Sequence, residues 1–80
     1  MLKIKDAIRH YNDNVRMEGR PKMTGKTLGC LIMERNGEFY ISNWSNGKHL
    51  GKLKPYHIVS ICKMTGVDAN FLYEIKPMEL

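Results

Sequence analysis

Apolar residues at Ile4, Ile8, Tyr11 and Val15 recur at spacings of four, three and four, the stripe of a single amphipathic helix. Lys5, Asp6, Arg9 and Asp13 take its other side. The stretch "MEGRPKM" then interrupts the pattern, with Gly19 and Pro21 stopping regular structure. Thr24 suits a helix N-cap, because its hydroxyl can accept from an amide that would otherwise lack a partner. After it Leu28, Leu31 and Ile32 share one helical face. Gly25 and Gly29 weaken that helix by up to about 1 kcal/mol each relative to alanine, so it depends on packing. Gly29, beside the apolar stripe, marks a place where another helix comes close.

Residues 30 to 42, "CLIMERNGEFYIS", fit two patterns. Asn36-Gly37 between apolar runs is a strong hairpin signal, since both residues tolerate positive φ. The same letters fit the end of one helix, a bend, and the start of another. Glu38 to Asn46 supports the second pattern. Ile41 and Trp44 point one way and Glu38, Ser42 and Asn43 the other, with Gly47 as a C-terminal stop. A strand would have to continue through Ser42-Asn43-Trp44-Ser45-Asn46, which is rich in strand-averse residues. Pro55 suits a first helical turn, Ile58, Ile61 and Cys62 form the next inward stripe, and Gly66 ends it. Asp68 can cap a last short helix with Phe71, Leu72 and Ile75 facing the core and Pro77 at its limit. Four helical patterns surround the ambiguous segment, and no third strand is available to support a hairpin. The expectation is an all-α, compact five-helix chain with a helix-turn-helix at its centre.

Eighty residues make one small domain, expected over 1–80 with a core of about 4–75 and a short tail at 76–80. Cys30 and Cys62 have neither zinc-site spacing nor disulfide-scaffold density. Both lie among apolar neighbours and are expected to be reduced, inert packing residues. Lys3, Lys5, Asp6 and Arg9 interrupt any leader-like apolar run, and the longest uncharged apolar segment, "LGCLIM", is far short of a membrane span. A cytoplasmic protein without membrane contact is expected.

The net charge of +5 is unevenly distributed. Residues 16 to 54 hold eight basic side chains (Arg16, Arg20, Lys22, Lys26, Arg35, Lys48, Lys52, Lys54) against three acids, and the remainder sums to zero. That concentration favours a polyanionic partner; a solvated basic face serving solubility gives the same count.

Residues 24 to 48, "TGKTLGCLIMERNGEFYISNWSNGK", resemble the helix-turn-helix core of the lambda-repressor-like (Cro/C1-type, XRE) DNA-binding domains. The matching positions are Thr24, Leu28, Gly29 (for the usual alanine), Ile41, Ser42, Trp44, Gly47 and Lys48. The following "YHIVSICKMTGVDANFLYEI" is similar to that family's fourth and fifth helices. The likeness spans roughly residues 4 to 75. Two features depart from it: the turn between Leu28 and Ile41 is about two residues longer than usual, and Gly25 replaces a glutamine that grips a phosphate.

The resemblance implies a recognition helix at about 38–46 lying in the major groove of double-stranded DNA, its first residues reaching base edges. Base contacts are then expected from Glu38, Phe39, Ser42 and Asn43. Asn43 can pair with adenine and Glu38 can accept from cytosine. Phe39 meets a thymine methyl or, equally well, caps the core, and plain solvation is the alternative for Asn43 and Ser42. Phosphate contacts are expected from Thr24, Lys26, Asn46, Lys48, Lys52 and Lys54, which orient without reading sequence. Trp44 is assigned to the core, where its indole N–H needs a partner; Tyr40 is left undecided. A homodimer on a palindromic operator follows from the small reach of one unit, with Tyr73, Met78 and Leu80 as candidate contacts.

No enzyme pattern is present. His10, His49 and His57 share no ligand spacing with the cysteines, and no phosphate loop or nucleophile motif occurs. No cofactor, metal or small-molecule substrate is expected, and His57 is expected on the surface. The competing expectation is a protein-interaction module, antitoxin-like or an accessory subunit, that keeps the fold with weak or no DNA binding. The missing glutamine and the long turn motivate it.

Overall fold

Asn36 decides the ambiguous segment. In the computed structural model, which describes residues 2–33 and 35–73, it adopts the left-handed conformation (φ 58°, ψ 24°) and its carbonyl accepts from Tyr40 N–H at 3.0 Å. A helix therefore begins at Gly37. Asparagine is among the few residues that tolerate this conformation at modest cost, so Asn36-Gly37 turns the chain between two helices rather than between two strands.

The elements in order are α1 (Ile4–His10), continued by a π-helical segment (Tyr11–Val15), then α2 (Gly25–Ile32) and α3 (Gly37–Ser45). A 3₁₀ turn (Leu50–Lys52), α4 (Pro55–Thr65) and α5 (Ala69–Tyr73) follow. No strand occurs among the described residues, so the described fold is all-helical. None of their helices is long and apolar enough to cross a membrane.

The starts of α2, α4 and α5 and the ends of α3 and α4 have local reasons. Thr24 Oγ1 accepts from Thr27 N–H at 3.1 Å, capping α2. Gly47 (φ 77°) closes α3: its N–H bonds the Trp44 carbonyl and Lys48 N–H bonds the Asn43 carbonyl at 2.7 Å, the paired bonds of a Schellman ending. Pro55 opens α4, Gly66 (φ 82°) ends it, and Asp68 Oδ1 accepts from Phe71 N–H at 2.9 Å.

The core is built from one or two residues per helix: Ile4 and Ala7 of α1, Leu28 of α2, Ile41 and Trp44 of α3, Ile61 of α4 and Leu72 of α5, with Leu2 and Met23 at its margin. Trp44 is fully buried and its indole N–H donates to the His49 carbonyl at 3.0 Å, the partner that a buried indole requires. The α2–α3 crossing is fixed by Gly29 and Gly37, whose backbones touch; a Cβ on either would collide with the other's main chain. At position 29 this chain has room only for glycine.

Several expectations are corrected. His57 is buried, not on the surface: it lies one turn before Ile61 on the inner face of α4. Leu31 is 56 % exposed, because α2 turns the Leu28–Gly29–Ile32 side toward its neighbours and Leu31 falls at the edge of that arc. Cys30 is exposed as well, since helical geometry puts it across the helix from Leu28 despite its apolar neighbours in sequence. Phe71 is exposed on the five-residue α5, its ring 6.1 Å from that of His10. Val15 is half exposed at the end of the π-helical segment, where the wider turn breaks the four-three-four register, but it still rests against Gly66. The expectations for Ile75, Pro77, Met78 and Leu80 lie outside the described residues.

Candidate nucleic-acid interface

The surface of α3 follows from which of its residues are inside. Gly37, Ile41, Trp44 and Ser45 are buried. At about 100° per residue the opposite ridge carries Phe39, Asn43 and Asn46, with Glu38 and Ser42 on one flank and Tyr40 on the other. Phe39 is 51 % exposed, so it does not cap the core. Glu38, Ser42 and Asn46 are exposed and Asn43 is half-buried. Asn43 Nδ2 donates to the Phe39 carbonyl at 2.7 Å, so in this conformation one amide hydrogen is committed within the helix.

Both flanks are basic. On the Glu38 side a groove of about 270 Å³ separates α3 from the start of α2 and from α1, lined by Lys5, Thr24, Lys26, Glu38, Ser42 and Ser45 together with Ile8, Gly25 and Ile41. Lys26 is exposed, as is Thr24 at its cap. On the Tyr40 side runs the loop after Gly47, carrying exposed Lys48, Lys52 and Lys54. The Schellman bonds fix the Lys48 backbone to the end of α3. His49, left-handed at φ 56°, sets its ring 5.4 Å from Phe39 and 6.4 Å from Tyr40. Glu38, Phe39, Ser42, Asn43 and Asn46 thus lie on α3 or at its C-terminal end. Thr24 and Lys26 lie across the groove from it, and Lys48 is tied to its end, whereas Lys54 lines a groove with Leu53, Pro55, Ile58, Val59 and Tyr73.

Two supports of this surface carried no readable sequence signal. Asn12 accepts from Met23 N–H at 2.7 Å and donates to the Met23 carbonyl at 2.9 Å, clipping the chain just before Thr24 to the first helical segment. His57 Nδ1 accepts from Lys54 N–H at 3.0 Å at the start of α4, and its ring lies 5.0 Å from Trp44 and 4.3 Å from Tyr56. Burial, helped by the charge of Lys54, lowers the His57 pKa below the ordinary imidazole value; a neutral ring is what the bond to Lys54 N–H requires. The Cys62 thiol is pushed up by burial and then by Asp68, so it stays protonated. Lys5 was legible only as part of the polar side of α1, and Tyr40 gave no inward or outward signal.

Among the described residues no group of three or more His, Cys, Asp or Glu side chains could hold a metal ion. The chain matches no protein-family model, no curated protein and no solved structure.

Proposed function

We propose that this chain is a small sequence-specific regulator of transcription, of bacterial or phage type. It would bind double-stranded DNA in the cytoplasm, with α3 in the major groove. The observation that carries the reading is the layout of α3: a protruding ridge of Phe39, Asn43 and Asn46 between two basic flanks. A helix in the major groove needs small or flat side chains on its leading side and cations where the phosphates pass. Glu38, Phe39, Ser42 and Asn43 are the candidate base-reading residues. Lys26, Lys48, Lys52 and Lys54, with Thr24 and Asn46, are the candidate backbone contacts. Two copies acting on a palindromic operator complete the proposal, because one ridge spans only a few base pairs.

Selection of bound duplexes from a random pool tests it directly. Recovery of one enriched sequence, repeated in inverted orientation, supports both the groove reading and the two-fold pairing. No enrichment at low salt overturns it.

A second reading, a protein-interaction module with this fold, is favoured by one feature away from α3. Leu53, Lys54, Pro55, Ile58, Val59 and Tyr73 line a largely apolar groove of about 380 Å³, and Val59 and Tyr73 are half exposed. Exposed apolar surface of this kind suits a protein partner. A tight protein complex combined with no duplex binding would select this alternative.

A further inference from the structure

We infer that Phe39 reads the 5-methyl group of a pyrimidine, so that the preferred duplex presents a 5-methylpyrimidine opposite the middle of α3. The inference rests on the DNA-binding reading above and names what that surface recognises. Phe39 is the one large apolar side chain on the outer ridge of α3, and half of it faces solvent. Its ring is held from behind: Tyr40 meets it edge-on at 5.3 Å and 82°, and His49 at 5.4 Å and 49°. The Phe39 carbonyl is clasped by Asn43. The ring is therefore braced on the loop side and presents its remaining surface outward, while Asn43 beside it has one amide hydrogen committed to the helix. What the centre of the ridge offers first is an apolar disc in a basic surround.

The major groove contains one apolar recognition element, the methyl on C5 of thymine; the other base-edge groups are hydrogen-bond donors and acceptors. An uncharged ring held between lysine-bearing flanks is suited to that methyl rather than to a polar edge. Cytosine methylated at C5 carries the same group in the same place. Phe39 would thus respond to the methyl whichever pyrimidine bears it, and cytosine methylation would convert a poor site into a better one.

The test resynthesises the most enriched duplex from the random pool with deoxyuridine at each thymine in turn, which removes only the methyl. At the sensitive position, cytosine and 5-methylcytosine are then each paired with guanine. Burying one methyl contributes about 0.8 kcal/mol, so a substitution in one half-site should weaken binding by about fourfold and the same substitution in both half-sites by about fifteenfold, and 5-methylcytosine should bind more tightly than cytosine there. Phe39→Ala should bind the thymine duplex as weakly as the wild type binds the deoxyuridine one, with no further loss when both changes are combined. Phe39→Leu, which keeps an apolar contact, should keep the methyl preference. Sequence-selective binding that no deoxyuridine substitution weakens overturns the inference and leaves the DNA-binding reading intact. So does an unchanged methyl effect in Phe39→Ala. Failure to enrich any duplex overturns both.

Discussion

Gly29 and Gly37 carry the tightest constraint at the scale of single residues. Their backbones touch where α2 and α3 cross, so Gly29→Ala sets a methyl against main chain that cannot rotate away. We expect it to cost at least about 3 kcal/mol, the upper part of the range for overpacking, despite alanine's better helix propensity. Gly25→Ala is the control. Its Cβ would sit at an ordinary 3.6 Å from Ile41 Cγ2, so the propensity gain should dominate and raise stability by about 0.5 kcal/mol. Urea unfolding of the two variants measures both signs, and equal effects would contradict the crossing. The role of Gly29 as a close-approach point was legible because a glycine beside an apolar stripe weakens its helix and gives in return only room for a neighbour. The bend at Asn36-Gly37 was legible as a bend but not as its type, since positive φ at asparagine serves a hairpin and a helix start alike. The exposure of Cys30 and the burial of His57 were not legible for a common reason: residue type and sequence neighbours do not fix the position around the helix, which decides both.

At the scale of elements, the start of α4 is held by a titratable group. His57 Nδ1 can accept the Lys54 N–H only while the ring is neutral there. Burial and the Lys54 charge depress its pKa in the folded chain, whereas the unfolded chain titrates near 6.5. Protonation therefore favours the unfolded state. The contribution is fully present above about pH 6.5 and is lost as the pH falls from there toward the lower folded value, where it levels off. Replacing His57 by phenylalanine keeps a ring against Trp44 but removes both the acceptor and the titration. His57→Phe should cost about 1 kcal/mol at pH 8 and should lose less stability than the wild type between pH 8 and pH 5. A variant that follows the wild-type pH curve would assign the acid sensitivity elsewhere. The start of α2, the end of α3 and both ends of α4 were readable to within a residue or so because Thr24, Gly47, Pro55 and Gly66 cap them. The π-helical end of the first helix was not, because nothing in "YNDNV" distinguishes a wider turn from an ordinary one; its Arg16 N–H to Tyr11 carbonyl bond is a matter of packing.

At the scale of the whole molecule, the distribution of charge determines what should be measured. The excess of basic groups lies between residues 16 and 54, the segment that carries α2, α3 and the loop beyond them. If those cations neutralise phosphates, binding to any duplex must weaken as salt rises, with a log–log slope of about −0.9 for each phosphate contacted. Lys48, fixed to the end of α3 through its backbone, should count as one such contact. Lys48→Ala is expected to reduce the slope by about 1 and to weaken enriched and random duplexes by the same factor, because a phosphate contact carries no base information. Lys63, exposed in the last turn of α4 and outside the basic stretch, should be replaceable by alanine with no change in slope. Phe39→Ala should behave in the opposite way, narrowing the gap between enriched and random duplexes while leaving the slope alone. A net positive charge with no organised surface would give a shallow slope that Lys48→Ala and Lys63→Ala reduce equally, and that result would reassign the +5 to solubility rather than to recognition.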